Sequence, residues 1–487
     1  MKGILKTLFF LSIFFFTYYL LLSRPRPNFV YLNQEKFYLN GEPYFPLALN
    51  YIVTLQADAN ELWPSPYAGY LDTNGRLFST KDSALAQLRA DMELIREMGF
   101  NTVRVTGIGE EEINTATGQL FLKSSVYNRN DSIVVLNESG YKSYFSALKD
   151  LFRIIDQSGL KLIFLTKVIP EVRASEQHLI RLADRFRHSS VLMAYDLFNE
   201  PLYFDKRDRE KKDIFHFTRK WKSAFRKHAP DQLLTVGLVG VREVFEWDPN
   251  AVNVDFISFH PYEFERGQVL NEMYWFGKVL KKPWIIGETG LAADNDSITY
   301  EQQKKFAKAT LEYCVNAGGA GYSWWQFKDV KWKEYHASYL GVLNRQGNSK
   351  TKSGKLVSGS RKPVYEVFGR FKYSGIKGNA NQASNYYNFS AQRKYRYFGK
   401  LVNQDNQPLA NGVVMAWTSG WLNSFITFTK DDGSFELFTE EAIHDVALSA
   451  SVYTVMRGDI KPEDIKPNGD GTFSINAGTV GLWQVYY

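Results

Sequence analysis

Two glutamates in this sequence each come directly after an apolar run. Glu200 lies in the segment LFNEP and Glu288 lies in IIGETG, 88 positions further along the chain (288 minus 200). Apolar runs of this kind predict buried β-strands, so we expect both carboxylates at strand ends. Two carboxyl groups that meet there could cleave a glycosidic bond, because one can protonate the leaving oxygen while the other attacks or stabilises the sugar carbon.

Eight short apolar runs are the elements that must position these glutamates. Most of them read as strands covered on both faces, and helical patterns lie between them. The runs are Tyr44–Asn50, Thr102–Thr106, Lys161–Thr166, Leu192–Phe198, Leu233–Leu238, Asp255–Phe259, Trp284–Gly287 and Ala320–Trp325. In the first helical pattern Leu85, Leu88 and Met92 recur on one face, and Gly99 ends it.

Eight repeats of strand and helix predict an α/β fold, a (β/α)8 TIM barrel. An open doubly wound sheet is the alternative, but no glycine-rich phosphate loop follows the first strand. The chain has 487 residues, which is too long for one ordinary domain. We expect a catalytic barrel over residues 28–374, a linker over 375–394, and a small β-sandwich accessory domain over 395–487. The last region has period-two runs such as Val413–Trp417 between turn sequences.

The N-terminus carries an uncharged run of 17 residues, 7–23, with basic residues on both sides. As a helix it would be roughly 26 Å long, short for a membrane span and long for the core of a signal peptide. No A-x-A-like cleavage site follows it. We therefore expect residues 1–27 to be a signal peptide or an N-terminal membrane anchor. Either function makes the protein secreted or membrane-anchored, with the barrel outside the cytoplasm (in the periplasm or at the cell surface of a bacterium).

Charge and cysteine content narrow the classes of partner. The net charge is +7, but residues 350–400 hold 12 Lys or Arg and the single acid Glu366, so the rest of the chain sums to −4 (+7 minus +11). A basic nucleic-acid groove is therefore not expected, and we interpret the segment as a solvated linker, with contact to an anionic surface as the alternative. Cys314 is the only cysteine, which excludes an internal disulfide. The seven His are scattered, so their spacing indicates no metal site.

Polar residues form an ordered set at the carboxyl ends of the predicted strands, where barrel enzymes keep their chemistry. The set is Arg104 in strand two, Asn199 and Glu200 after strand four, His260 and Tyr262 after strand six, Glu288 after strand seven, and Trp324 and Trp325 at the end of strand eight. This order of Asn-Glu-Pro, H-x-Y and Glu resembles the retaining glycoside hydrolases of clan A, most closely family 5, which holds cellulases and β-mannanases. The resemblance covers about residues 32–372.

The resemblance implies a role for each matching residue. Glu200 would be the acid/base and Glu288 the nucleophile. Tyr262 and Arg104 would orient Glu288, and His260 would support the acid/base. Carboxyls in retaining enzymes lie only ~5 Å apart, so the charge on Glu288 should raise the pKa of Glu200 and keep it protonated. This chemistry needs no cofactor.

The other matching positions concern the sugar. Asn199 would hold its 2-hydroxyl, and Trp325 would be the aromatic floor of the cleaving subsite, because Asp329 follows it by four as in the family's W-x-x-x-D pattern. Trp324 is the weaker choice for that floor. Lys167 departs from the family, many of whose members carry His at the end of strand three. We expect Lys167 to be a structural ion-pair partner, with a substrate contact as the alternative.

The remaining expectations concern the C-terminal region and the overall activity. The stretch FGKLVNQDNQPLANGVVMAW and then FTKDDGSFEL resembles the prealbumin-like regulatory domain of carboxypeptidases, which implies a structural or adhesive role. The chain as a whole is predicted to be a monomeric glycosidase that cleaves a β-linked polysaccharide or oligosaccharide, with β-mannan or β-glucan first, by double displacement. A non-catalytic carbohydrate-binding or adhesion protein and a transglycosylase are the alternatives. Aromatic residues in loop-like segments are candidates for outer sugar subsites: Trp63, Tyr67, Trp247 and Trp275.

Overall fold

The computed structural model describes residues 26–57, 61–70, 78, 80–108, 111–114, 119–126, 129–205, 207–262, 268–373, 393–421 and 423–485. The apolar run 7–23 lies outside these residues, as does all but the end of the predicted linker 375–394. Within the described part of the chain, no helix combines the length and the apolar character that crossing a bilayer requires. The expectations of an anchor and of a linker therefore stay predictions.

A closed barrel of eight parallel strands forms the centre of the molecule, which confirms the predicted fold. Each strand pairs with the next one along the chain, and the last pairs with the first, with Trp324 opposite Leu49. The strands are β1 (Leu47–Ala57), β2 (Thr102–Thr106), β3 (Lys161–Leu165), β4 (Leu192–Asn199), β5 (Leu233–Leu238), β6 (Ile257–Phe259), β7 (Trp284–Ile286) and β8 (Gly321–Trp324). All eight apolar runs thus became barrel strands. Outside the barrel, Leu62–Pro66 extends β1 as an antiparallel hairpin, and three short strands, Val30–Asn33, Lys36–Leu39 and Glu42–Tyr44, precede it.

The longer helices cover the outside of the barrel, and the two four-residue helices Pro201–Phe204 and Tyr335–Ser338 lie at its mouth. In chain order the helices are α1 (Lys81–Glu97), α2 (Glu138–Gln157), α3 (Arg173–Phe186), α4 (Pro201–Phe204), α5 (Lys211–His228), α6 (Gln268–Val279), α7 (Tyr300–Ala317), α8 (Tyr335–Ser338) and α9 (Tyr365–Arg370). Helix α1 begins after Thr80, whose hydroxyl oxygen accepts a hydrogen bond from the Ser83 backbone N–H at 3.3 Å. It ends before Gly99, whose φ of +100° suits glycine because that residue lacks a Cβ. The apolar face predicted from Leu85 and Leu88 is buried.

One barrel connection lacks the predicted helix. Between β5 and β6, residues 239–256 are all described, and they form only the short 3₁₀ helix Val241–Phe245 followed by turns. The prediction of a helix after every strand is therefore wrong here. The C-terminal β-rich region contacts this 3₁₀ helix and covers the surface that a helix would otherwise cover.

The C-terminal region forms two four-stranded sheets that pack face to face, which agrees with the predicted β-sandwich. Its strands are β9 (Tyr395–Val402), β10 (Val413–Thr418), β11 (Ser424–Phe428), β12 (Ser434–Thr439), β13 (Ile443–Ser449), β14 (Val455–Asp459), β15 (Ile465–Pro467) and β16 (Phe473–Gly481). The first sheet has the order β12-β9-β16-β15 and the second β11-β10-β13-β14. Tyr397, Leu437 and Leu448 are among the residues between the sheets. The domain boundaries themselves stay predictions.

The second sheet is apolar on both faces. In β10, Val414 and Ala416 belong to the core of the sandwich, whereas Val413 and Met415 belong to the same buried cluster as the barrel core. A strand covered on both sides is expected to read as a continuous apolar run, and β10 reads VVMAWT. The sandwich is therefore packed against the barrel through this sheet.

A buried ion pair lies at the same contact. Lys211 of α5 is 3% exposed, and its ammonium group is 3.0 Å from a carboxylate oxygen of Asp248. The ammonium also donates to the Ser449 hydroxyl at 2.9 Å and to the Ala450 carbonyl at 3.0 Å. A charge of each sign is thus removed from water, and groups of the sandwich complete the hydrogen bonds of the cation.

Three of the four aromatic candidates for outer subsites are packing residues. Trp63, Trp247 and Trp275 are buried, so their prediction as subsite residues is wrong. The indole N–H of Trp275 donates to the Asn411 carbonyl at 2.8 Å, and its ring stacks on Phe428 of the sandwich. The ring of Trp275 is therefore covered by the accessory sheets, whereas Trp63 lies in the hairpin strand that packs on α1 and α2 and Trp247 contacts Phe198 of β4.

Candidate active site

A cleft of about 480 Å³ opens at the carboxyl ends of the barrel strands. Five of the predicted site residues line it: Asn199, Glu200, Tyr262, Glu288 and Trp325. Arg104 and His260 are buried beside these residues, with 0% and 1% of their surfaces exposed. The residues that the sequence places at five different strand ends are therefore brought together at one mouth of the barrel.

The two glutamates face each other across a short gap. Glu200 follows β4 in a left-handed conformation, with φ of 51°, and its backbone N–H donates to the Gly237 carbonyl of β5 at 2.7 Å. Glu288 follows β7 and is 5% exposed. Three atoms lie within 4.8 Å of one another: one carboxylate oxygen of Glu200, one carboxylate oxygen of Glu288 and one ring nitrogen of His260. At this separation the two carboxylates repel each other when both are ionised, which favours a state with one of them protonated.

Both oxygens of Glu288 accept hydrogen bonds. The Arg104 guanidinium donates to Oε1 at 2.5 Å, and the Tyr262 hydroxyl donates to Oε2 at 2.8 Å. Burial raises the pKa of Glu288, whereas His260, Arg104 and the hydrogen bond from Tyr262 oppose this shift. The carboxylate is therefore held in one orientation with a cation against it.

Arg104 of β2 connects its own strand to β1, to β4 and to Glu288 after β7 through four guanidinium hydrogen bonds. Its Nε donates to Asp196 at 2.8 Å, Nη1 to the Asn50 side-chain oxygen at 3.0 Å, and Nη2 to the Asn199 side-chain oxygen at 2.9 Å. Burial disfavours the charge on Arg104, but Asp196 and Glu288 outweigh it and raise the pKa of the guanidinium. Asp196 was not singled out from the sequence, although it is the one charged residue in β4, LMAYDLFN. That isolated charge in an apolar strand is the signal that could have found it.

His260 supports Glu200 in a cavity that glycine provides. The Nδ1 atom of His260 is 3.1 Å from Glu200 Oε1. A Cβ atom at Gly237 would lie 2.5 Å from His260 Cε1, so only glycine leaves room for the ring. Burial lowers the pKa of His260 to about 4, which keeps the imidazole neutral. Burial also raises the pKa of Glu200 to about 7, so burial rather than the charge of Glu288 is the main cause of the predicted shift.

The family model described as Cellulase (glycosyl hydrolase family 5) matches residues 71–331. The chain belongs to glycosyl hydrolase family 5. This confirms the resemblance that the ordered motifs indicate, and it makes the protein a glycoside hydrolase. No curated protein matches the sequence at a significant level.

Several solved structures are similar to this family 5 enzyme. The endo-1,4-beta-mannanase from Rhizomucor miehei is 12% identical with a TM-score of 0.44, over 61% of this chain and 90% of that one. A family 5 mannosidase from the same organism is 13% identical with a TM-score of 0.43, over 70% and 96%. The beta-mannanase from the blue mussel Mytilus edulis is 16% identical with a TM-score of 0.39, over 61% and 91%. These TM-scores are low, and the family assignment rests on the family model.

The two tryptophans at the end of β8 face opposite ways in this family 5 barrel. Trp325 is half-buried and lines the cleft. Trp324 is fully buried, its indole N–H donates to the Leu340 carbonyl at 2.8 Å, and its ring packs against Phe368 of α9. The geometry therefore agrees with the preference for Trp325 over Trp324 as the aromatic floor.

Lys167 is half-buried after β3 and does not line the cleft in the described part of the chain. Its backbone carbonyl accepts a hydrogen bond from the Ser175 hydroxyl at 3.1 Å. Among the described residues, the ion pairs within 4.0 Å do not include Lys167. Neither of its two expected roles gains support from these contacts.

Further cleft residues come from the segment after β8, which the motifs did not single out. Trp332, Glu334 and His336 line the cleft. The Trp332 ring lies 6.5 Å from the Trp325 ring, and its indole N–H donates to the Tyr67 hydroxyl at 3.1 Å. The signal for them is the aromatic and charged sequence KWKEYHASY, which begins two residues after Asp329 of the W-x-x-x-D pattern.

The side chains of Glu200, His260 and Glu288 are also close enough to hold one metal ion, since one possible ligand atom of each lies within 4.8 Å of the others. Sequence spacing cannot reveal such a trio, because its members come from three strands. The Arg104 guanidinium contacts Glu288 at 2.5 Å, and a fixed positive charge there opposes the binding of a cation. The residues present therefore fit a proton-transfer site better than a metal site.

Proposed function

We propose that this family 5 enzyme is a retaining glycosidase that cleaves a β-linked polysaccharide or oligosaccharide, with β-mannan and β-glucan as the first candidates. Glu200 is the acid/base and Glu288 the nucleophile. The distance of at most 4.8 Å between their nearest carboxylate oxygens carries the proposal. Retaining enzymes hold these groups ~5 Å apart, whereas inverting enzymes hold them ~6.5–9.5 Å apart to leave room for a water molecule.

In the first displacement, Glu288 attacks the anomeric carbon while Glu200 gives its proton to the oxygen of the leaving group. Arg104 and Tyr262 each hold one oxygen of Glu288, so the carboxylate needs little reorientation before attack. A pKa of about 7 keeps Glu200 protonated in mildly acidic solution. The glycosidic C–O bond breaks and an ester bond to Glu288 forms.

In the second displacement, the ionised Glu200 takes a proton from water, and the water oxygen attacks the anomeric carbon. The ester bond breaks and Glu288 regains its charge, which Arg104 neutralises. Neutral His260, 3.1 Å from Glu200, donates its Nδ1–H to the ionised carboxylate in this step. Two inversions give net retention. A sugar hydroxyl in place of water would give transglycosylation with the same residues.

The sugar to be cleaved lies between Trp325 and Asn199. The ring of Trp325 provides a flat apolar face, and the side-chain oxygen of Asn199 is already occupied by Arg104. The amide N–H groups of Asn199 are therefore the ones proposed to donate to the sugar 2-hydroxyl. Such a hydrogen bond can strengthen in the transition state.

Hydrolysis of aryl β-glycosides tests the proposal, followed by a screen on β-mannan, β-glucan, xylan and glycolipid with product sizes recorded. We expect Glu288→Ala to abolish turnover, and Glu312→Gln, a control at a side chain that is 61% exposed, to retain it. Equal turnover by Glu288→Ala and the parent would refute the role of Glu288, and the absence of turnover in both, with sugar binding retained, would support the non-catalytic carbohydrate-binding alternative. A first-formed product of inverted anomeric configuration, detected by NMR, would refute retention.

We also propose that the N-terminal apolar run exports the barrel or attaches it to a membrane. Expression with and without residues 1–27, followed by separation of membrane and soluble fractions, tests this proposal. Attachment requires that removal of these residues releases the enzyme from the membrane fraction. Export with cleavage requires a shortened N-terminus in the secreted product.

A further inference from the structure

An exposed apolar surface directly follows the proposed acid/base. Helix α4 presents Leu202, Tyr203 and Phe204, which are 42%, 55% and 54% exposed. Single exposed apolar residues are common on protein surfaces. A run of three large ones is unusual unless it serves a function. We call these three residues the apolar trio.

The turn that carries the apolar trio is fixed from below. A carboxylate oxygen of the buried Glu243 accepts the backbone N–H of Leu202 at 3.1 Å and that of Val239 at 3.3 Å. The backbone N–H of Phe204 donates to the Glu200 carbonyl at 3.1 Å. The backbone of α4 is therefore tied to Glu200 and to the connection after β5, while the three side chains stay about half exposed.

The apolar trio lies on the leaving-group side of the reaction. Glu200 must contact the oxygen of the leaving group to protonate it, so side chains on the same short turn flank the leaving group. Of the three, Phe204 lines the same cleft as Glu200, and Leu202 and Tyr203 precede it on the same turn. Other residues of the cleft wall are also apolar: Ile52, Leu165, Leu291, Ala292, Ala337 and Leu340. A second sugar in this position would require hydrogen-bonding groups for its several hydroxyls, and among these three side chains only Tyr203 offers one.

We propose that the cleft takes a β-glycoside whose leaving group is apolar, with a long alkyl chain packed on the apolar trio. This inference rests on the proposed function and specifies its substrate class. The bond that breaks is still the one between the anomeric carbon and the glycosidic oxygen, and the chain departs as an alcohol that carries the proton of Glu200. Fully burying one methylene of the chain corresponds to about a fourfold gain in kcat/KM. On a surface as open as this one each methylene is only partly buried, so the gain is about twofold for each.

The test compares methyl and octyl β-glycosides of the same sugar, both as glucosides and as mannosides, below the micelle concentration. With seven additional methylenes, we expect kcat/KM of the octyl glycoside to be about 100-fold higher. The triple variant Leu202→Ser/Tyr203→Ser/Phe204→Ser should lower this ratio at least tenfold. The control Leu356→Ser changes a side chain that is 63% exposed and does not line the cleft, and should keep the parental ratio.

Each other outcome overturns the inference. A ratio near one in the parent, or an unchanged ratio in the triple variant, excludes a role of the apolar trio in binding the chain. If a disaccharide glycoside is cleaved tenfold better than the octyl glycoside, the trio serves a sugar instead. If the triple variant loses binding to phosphatidylcholine vesicles but keeps the ratio, the trio contacts a bilayer instead.

The same experiment separates this inference from the proposed function. When Glu288→Ala abolishes cleavage of both glycosides and the parent cleaves them equally, the glycosidase mechanism stands and only the apolar leaving group is refuted. When the parent cleaves neither these glycosides nor any aryl glycoside, the proposed function fails, and the inference fails with it.

Discussion

Raising the pH should inactivate this enzyme through the loss of one proton from Glu200. Burial raises the pKa of this carboxyl from 4.5 to about 7, while Arg104 opposes the shift. At pH 6 a group with a pKa of 7 is about 90% protonated, whereas one with a pKa of 4.5 would be about 3% protonated. The buried site thus holds about 30-fold more of the proton-donating form, and kcat/KM should fall tenfold for each pH unit above about 7.

The assay measures kcat/KM from about pH 4 to pH 9 with two aryl β-glycosides of the same sugar. Phenol is a poor leaving group and needs the proton of Glu200, whereas dinitrophenol leaves without it. We therefore expect the decline above pH 7 with the phenyl glycoside and a much weaker decline with the dinitrophenyl glycoside. Glu200→Gln should remove the decline with both substrates and retain activity mainly on the second.

A second buried carboxyl provides the matched control. Burial raises the pKa of Glu243 to about 8, but its oxygen accepts backbone N–H groups and it does not line the cleft. Glu243→Gln should therefore keep the decline near pH 7. The reasoning is refuted if the decline persists in Glu200→Gln, if it disappears in Glu243→Gln, or if it is equally steep with both leaving groups.

Four further perturbations have defined outcomes. Glu200→Gln should raise the free energy of unfolding by roughly 3 kcal/mol at pH 8 but not at pH 4. The reason is that folding raises the pKa of Glu200 from 4.5 to about 7, so the stability that is present below pH 4.5 is lost as the pH rises to 7 and above. Urea unfolding at both pH values measures the difference, and equal effects at the two pH values would contradict it. Gly237→Ala should lower kcat at least about tenfold, because its Cβ would force the His260 ring away from Glu200, the proposed acid/base. A parental kcat would show that the position of this ring does not affect the reaction. Lys211→Ala should destabilise the protein by about 3–5 kcal/mol in thermal or urea unfolding, because it leaves the buried carboxylate of Asp248 without its cation. The control Lys212→Ala changes a side chain that is 53% exposed and should have little effect. Dialysis against EDTA should leave kcat/KM unchanged, and a loss restored by a divalent cation would reveal a metal requirement.

The sequence predicts the barrel and the residues that meet at its mouth, because both depend on local signals. Strands covered on both faces appear as apolar runs, and all eight runs lie in the barrel. The polar residues that follow such a run within one or two positions, as Glu200 and Glu288 do, lie at the mouth. Closure of the sheet then brings together residues far apart in the chain, which the ordered motifs already indicate.

Contacts between distant segments are what the sequence does not predict. Asp196 matters because Arg104 reaches it across the barrel, and no local pattern encodes that pairing. Trp275 has the pattern of an exposed loop aromatic, but a sheet more than 130 residues later covers it, with Asn411 as its hydrogen-bond partner. The missing helix after β5 has the same cause, because the C-terminal sandwich packs where that helix would lie, and the sequence of residues 239–256 gives no sign of this contact.

The short 3₁₀ connection between β5 and β6 has a consequence for how the protein is made. A ribosome synthesises the whole barrel before strands β10 and β13, so the wall over residues 239–256 has no cover while the last part of the chain is still in the exit tunnel. During that interval the newly made barrel exposes apolar surface where Val413 and Met415 will later pack. Completion of the catalytic half of the enzyme therefore awaits the arrival of its C-terminal sheets, and stop codons placed after the barrel should yield a product that depends on chaperones to remain soluble.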